Sequence, residues 1–336
     1  MLVSDQVAVE TLNPKRILII GASGFLGSAL AIELRDHFEV YGTYLNYPLR
    51  IQGVTCLMMD STQGNEIVDM ITRIQPDVVL YCAGLTNTDA AQLHRELSET
   101  LNLKAPTLFF KVPSRNFQFV YFSCDQVMHA PLAPDNKAFT ESDAVRPINA
   151  YAQIKSQAET VMTTQNRGVH CLRLGSLYGE AQGPPHAPKR SWVDWLGDEL
   201  AKGRRVKAFE DQVRSFTYLG TAAKAIRVYL ERMGTEGQLL NLASKDFCSR
   251  YEFAKTFAKI MGYDENLVNP VSSAQGISMG SVARPQFCGL DVSRFESRFN
   301  YELDTWRAGL KSFADRLRLG QTGPWTPSFK PSESSV

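Results

Sequence analysis

The sequence contains no apolar run near the roughly 20 residues that a membrane helix needs. Its opening stretch, MLVSDQVAVETLNP, lacks the positive flank and apolar run of a secretory signal. Both absences lead to the expectation of a cytoplasmic protein with no membrane contact. Charge of one sign is missing too: Lys+Arg number 36 against 35 Asp+Glu, a formal net charge of +1. Without basic runs interleaved with aromatics, a nucleic-acid partner is excluded. The six cysteines (Cys56, Cys82, Cys124, Cys171, Cys248, Cys288) form no C-x-x-C pair. Several lie in apolar runs such as VVLYCAG and read as buried free thiols of a reduced protein. The five histidines (His37, His94, His129, His170, His186) show no ligand spacing, so no metal is expected. There is no internal repeat.

What is present is a 336-residue chain, 44% hydrophobic and 21% charged, long enough for one large or two ordinary globular domains. From Arg16 short apolar runs alternate with helical stretches. RILII, EVYGTY, TCLMMD, DVVLYCAG and FQFVYFSCD read as strands. GASGFLGSALAIELRDH, NEIVDMITRI and a long segment from about Asp89 to Lys111 read as helices. Fully apolar strands in this rhythm predict an α/β fold, a doubly wound parallel sheet covered on both faces. After Gly179 the Pro/Gly-rich EAQGPPHAPKR reads as a loop, and helices and short strands then mix. The expected organisation is a dinucleotide-binding region over 15–178 with returning segments at about 215–243. A smaller mixed α/β substrate region takes 179–214 and 244–318, and 1–14 and 319–336 are flexible termini.

Gly21, Gly24 and Gly27 stand between the first strand and the first helix. That context suits a phosphate cradle, because glycines let backbone approach a pyrophosphate and a helix start offers unpaired N–H groups. The second strand ends in Thr43 and Tyr44, where a NAD-selecting chain carries an acid. With no carboxylate to repel a 2′-phosphate and Arg50 nearby, the reading leans to NADP, with NAD open. Asp60 ends the third strand, placed either to meet an adenine or to cap a turn. The spacing Tyr-x-x-x-Lys occurs twice, in AYAQIK and RYEFAK. With 12 tyrosines, chance alone supplies roughly half a match. Tyr151–Lys155 opens a helix after the fifth strand, on the side where parallel sheets bind ligands. Tyr251–Lys255 lies in the later region and reads as packing. A lysine one helical turn away is expected to lower the Tyr151 pKa and fit the phenol for proton transfer. Arg214 and Arg284 suit a diphosphate, since a guanidinium fork matches phosphate oxygens. Trp192 and Trp195 read as core rather than base contacts.

Taken together, GASGFLG, DVVLYCAG, LNLKAP, FSCDQV, YAQIK, RLGSLYG, FEDQVRSFTYLGTAAKAI and RPQFCGLDVSRF resemble the extended short-chain dehydrogenase/reductase family over about Lys15–Leu317. Within it they are similar to the dTDP-4-dehydrorhamnose reductase branch. The beta subunit of methionine adenosyltransferase shares this architecture. The resemblance implies a Rossmann-type fold, NADP(H), a nucleotide-sugar substrate and a homodimer as an open expectation. It implies a cofactor wall of Gly21, Ser23, Gly24, Phe25, Leu26, Gly27, Thr43, Tyr44, Asp60, Ser61, Cys82, Ala83, Gly84, Thr86 and Asn102, with Tyr151 and Lys155. On the catalytic side it implies Tyr151, Lys155 and the pair Ser123/Cys124; on the substrate side, Asp125, Gln126, Ser176, Arg214 and Arg284. Three positions depart from the branch. Cys124 stands where it has the Ser/Thr that binds the carbonyl, Gln126 replaces an aromatic, and Ser176 replaces a tryptophan. The expected activity is reduction of a 4-keto nucleotide sugar. A cofactor-binding regulatory protein and a nucleotide-sugar epimerase or dehydratase stay open.

Overall fold

A computed structural model describes residues 14–113, 116–133, 135–165, 168–180, 191–278 and 281–319. Residues 1–13 and 320–336 of the expected flexible termini, and most of the Pro-rich loop, with His186, lie outside the described residues. The chain runs through β1 (Arg16–Ile20), α1 (Phe25–Leu34), β2 (Glu39–Tyr44), β3 (Val54–Met58), α2 (Gly64–Ile74) and β4 (Val78–Tyr81). Next come α3 (Thr88–Leu93), α4 (Arg95–Glu99), α5 (Ala105–Leu108), β5 (Gln118–Cys124), α6 (Ala150–Thr163), β6 (Val169–Leu174) and β7 (Ser176–Tyr178). The remainder comprises α7 (Trp192–Ala201), β8 (Val206–Phe209), β9 (Val213–Arg214), β10 (Phe216–Tyr218), α8 (Leu219–Arg232), β11 (Leu239–Leu242) and β12 (Cys248–Ser249). It closes with α9 (Arg250–Met261), β13 (Val268–Val271), α10 (Ser273–Ser278), α11 (Ser293–Phe299) and α12 (Trp306–Arg318).

Seven parallel strands form one sheet in the order β11-β6-β5-β4-β1-β2-β3. Alternation along β1 shows why both faces are apolar. Ile17 and Ile19 join the core under α1, α8 and α11, while Leu18 and Ile20 join the one under α2, α5 and α6. A separate apolar cluster holds α7, α9 and α12 around β8 and β13, with Leu196, Phe253, Phe257, Trp306 and Phe313 fully buried. Strand order reverses between β1 and β4, and the crevice beyond their carboxyl ends lies between the sheet and this cluster.

The expected helix over 89–111 is broken into α3, α4, a π turn at Thr100–Lys104 and α5. The cause is local. The Ala105 N–H reaches back to the Thr100 carbonyl, and Pro106 has no N–H to offer Asn102. The two carbonyls thus left over are taken by phenols from the sheet: Tyr81 donates to Leu101 O at 2.9 Å and Tyr121 to Asn102 O at 2.7 Å. Strand β6 carries His170 and Arg173 in its buried middle, and both are paired.

Candidate active site

The glycine turn is shaped by contacts that leave no room for a side chain. Gly21 has φ +82°, and a Cβ there would lie 2.9 Å from the backbone of Ala83. A Cβ on Gly27 would collide with the Gly21 carbonyl oxygen, so α1 packs directly onto the end of β1. Thr43 ties the turn to β2, its Oγ1 accepting from Gly21 N at 3.1 Å and its carbonyl from Ala22 N at 2.7 Å. Gly24 caps α1 without a side-chain hydrogen bond, and the first turn carries no acid. The leading N–H groups of that helix therefore keep their affinity for an anion, and the turn fits a dinucleotide pyrophosphate.

Phe25 and Leu26 from this turn border a cleft of about 430 Å³ whose walls include Cys82, Ala83, Gly84 and Thr86 after β4, Ser123–Gln126 at the end of β5, Tyr151 and Lys155 on α6, and Ser176 on β7. The glycine turn and the Tyr151 phenol thus open onto one space. Asn149 caps the start of α6, the helix that carries Tyr151: its side-chain oxygen accepts from Ala152 N at 2.9 Å, and its Nδ2 donates to Gln126 Oε1 and Ala283 O.

The electrostatics differ from the sequence expectation. Tyr151 is pushed well above its ordinary value by burial, by the adjacent Cys124 thiol with which it hydrogen-bonds, and by Asp125. Lys155 does not offset this, because its Nζ donates to the Phe122 carbonyl at 2.8 Å and sits 4.4 Å from the Tyr121 ring centroid. Burial brings Lys155 itself down to about 8. Burial and the Asp125 charge push the Cys124 thiol up to about 12. Ser123 also borders the cleft, but its Oγ is buried without a hydrogen-bond partner, so of the two residues Cys124 is the one that meets Tyr151.

Asp125 is fully enclosed. Ser176 Oγ donates to it at 3.2 Å and Cys288 Sγ at 3.6 Å, and Arg214 Nη1 lies 3.5 Å away. Burial raises its pKa against these partners. Arg214 is buried within this network, not presented to the cleft. Arg284 donates to Asp89 at 2.6 Å and to the Val282 carbonyl at 2.8 Å, and it too is absent from the cleft wall.

Several predicted cofactor residues act as supports. Asn102 is fully buried and donates to Leu85 O and Ser98 Oγ, and its side chain occupies the space a Cβ on Gly84 would need. Asp60 accepts from the backbone and hydroxyl of Thr62, capping its own turn. Ser61 lies 3.5 Å from the Tyr81 hydroxyl. Tyr44 is half-buried at the end of β2, Arg50 is exposed, and Ser23 belongs to the glycine turn without bordering the cleft. Tyr251 packs on the second cluster, 5.8 Å from Lys255 Nζ, outside the cleft. Two further residues border the cleft: Trp192, which the sequence reads as core, and Arg250, which no motif marks. Trp192 lies against Phe216 while bordering the cleft, and Arg250 opens α9 with its guanidinium 4.8 Å from the Trp192 ring centroid. Trp195 is exposed. Among the described residues no group of three His, Cys, Asp or Glu could hold a metal, and no helix is long and apolar enough to cross a membrane.

A seven-stranded parallel sheet with a glycine turn and a Tyr-x-x-x-Lys helix meeting at its switch point defines a Rossmann-type α/β fold. Residues 15–319 match the RmlD substrate binding domain, and the chain belongs to that family. It is 27% identical over 286 residues to a "Probable low-salt glycan biosynthesis reductase" of Haloferax volcanii, covering 83% of this chain and 90% of that protein. It is 26% identical over 287 residues to the methionine adenosyltransferase 2 subunit beta of Danio rerio, covering 84% of each. A crystal structure of dTDP-4-dehydrorhamnose reductase from Bacillus anthracis in complex with NADP has the same fold. Its TM-score is 0.74 at 22% identity, covering 90% of this chain and 99% of that one.

Proposed function

We propose that this protein is an NADPH-dependent reductase of a 4-keto nucleotide sugar. The observation that carries the reading is the single cleft onto which the glycine turn, Cys124, Tyr151 and Lys155 all open. In this reading residues 15–178 hold the cofactor, and 179–214 with 244–318 enclose the sugar. The start of α1 binds the pyrophosphate, and the carboxylate-free end of β2 at Thr43 and Tyr44 accommodates a 2′-phosphate. NADPH, when bound, supplies the hydride that reduces the carbonyl carbon. Cys124 donates a weak S–H hydrogen bond to the carbonyl oxygen. Tyr151 gives its phenolic proton to that oxygen, which completes an alcohol, and is reprotonated from solvent. A phenol held well above its ordinary value stays protonated at neutral pH but releases its proton reluctantly. Slow turnover is the expected result.

Purified protein should oxidise NADPH when supplied with a dTDP-4-keto-6-deoxyhexose. Tyr151→Phe should lower kcat by about 10²-fold or more, the usual reach of general acid catalysis. Cys124→Thr, which restores a stronger donor, should raise kcat by roughly 10-fold. Turnover that survives loss of the phenol would remove the mechanism. The raised thiol and phenol also favour a second reading, a cofactor-binding regulatory protein. NADPH binding without turnover in either the native or the Cys124→Thr form would select it.

A further inference from the structure

Of the charged side chains that border the cleft, Asp125 is matched by Arg214, and Lys155 is turned onto the β5 backbone. Arg250 is different. Its Nε donates to Gln212 Oε1 at 3.1 Å and its backbone N–H to the Gln212 carbonyl at 3.0 Å, which fixes the side chain across Trp192. Among the described residues no carboxylate lies within ion-pair distance of it, and its two terminal nitrogens have no acceptor. Two further guanidiniums, Arg214 and Arg284, are close enough to act on it. Each has already taken the nearest acid, Asp125 and Asp89. Burial and those two charges, only partly offset by the Asp125 charge, bring Arg250 down to about 9. The helix starts nearby offer no competing anion site. Ser191 and Asp194 close the start of α7 reciprocally, and Ser249 caps α9.

We propose that the outer part of the cleft is an oxyanion subsite in which Arg250, lying over Trp192, binds a phosphate or carboxylate group of the substrate. A planar fork with two free nitrogens suits such a group, and removing water from it strengthens the bond. The subsite rests on the proposed cleft but does not require the reductase chemistry. An anion seated there would also relieve the repulsion among the three guanidiniums. Arg214 and Arg284, which the sequence marks as diphosphate anchors, then act as the positive surroundings that favour binding at Arg250.

The test uses the full chain and four probes: dTDP, thymidine, glucuronate and glucose. Affinity would be read by calorimetry, with melting midpoints as a control for folding. Arg250→Gln should weaken dTDP or glucuronate roughly 10- to 100-fold and leave the neutral partner of that pair, thymidine or glucose, unchanged. Arg250→Lys should fall between, keeping the charge without the fork. Loss confined to dTDP assigns the subsite to the diphosphate, and loss confined to glucuronate assigns it to a sugar carboxylate. Affinity for each anion that stays unchanged across the three forms, or no binding of either by the native protein, overturns the proposal. If Arg250→Gln melts early, the Lys form decides by the same comparison. A separate NADPH titration tests the reductase reading: no NADPH binding sinks that reading, while the anion result still decides the subsite.

Discussion

Lys155 shows at the residue scale how burial can override a local pairing rule. One helical turn separates it from Tyr151, yet its ammonium is spent on the Phe122 carbonyl and the Tyr121 ring. Folding lowers its pKa from an ordinary 10.5 to about 8. Between those values the unfolded chain holds a proton that the folded chain has released, so stability rises with pH across this window. The gain is as much as about 3 kcal/mol. Below pH 8 both states are charged and the burial cost is fully present. Urea melts from pH 7.5 to 10 should therefore show the native protein gaining on Lys155→Met as pH rises. Parallel profiles would mean that the ammonium is not desolvated. Cys124 belongs to the same local economy of charge. A thiol held near 12 stays protonated, so it serves as a weak donor and not as a nucleophile.

At the scale of elements, the join between β1 and α1 depends on closeness. The Gly21 carbonyl lies where a Cβ on Gly27 would go, and the obstructing atom is backbone, which cannot swing away. Gly27→Ala should cost about 1–3 kcal/mol of stability, the usual cost of overpacking, and weaken NADPH binding by displacing the helix start. An unchanged urea midpoint would show that the turn has slack. The broken helix around Thr100–Lys104 is the complementary case. Its π turn and Pro106 release two carbonyls that Tyr81 and Tyr121 then bind, so an irregular helix is stitched to β4 and β5 beside the cleft.

At the scale of the whole molecule, a buried chain of polar groups links four segments and is expected to make stability sensitive to acid. His170 on β6 lies 3.0 Å from Gln118 Oε1 on β5 and 2.6 Å from the Tyr229 hydroxyl on α8, which also accepts from Gln238. The network assigns the proton to Nε2, with Nδ1 accepting from Tyr229. Burial and Arg298 bring His170 from its ordinary 6.5 to about 4. Between those values the unfolded chain binds the extra proton, so stability falls as pH drops from about 6.5 to 4, by up to about 3 kcal/mol. Acid unfolding of His170→Gln should be flatter across that window. An identical slope would place the acid sensitivity elsewhere.

Sequence alone determined what repeats along the chain or follows a short spacing. Strands β1, β2, β4 and β5 are legible as apolar runs, α1 follows from its glycine turn, and Tyr151 stands out from Tyr251 by its place after β5. These are local consequences of backbone sterics and of period-two burial. Only the tertiary structure decided which charges meet. Arg214 and Arg284 look free in the sequence and are each claimed by an acid, from 89 and 195 residues away in the chain, Asp125 and Asp89. Arg250 looks like an ordinary helix residue and is the cation left facing the cleft. Strand β6 is masked by His170 and Arg173 until Gln118, Tyr229 and Glu159 arrive from other elements to satisfy them. Pairing and desolvation depend on distances through space, and no pattern along the chain records them.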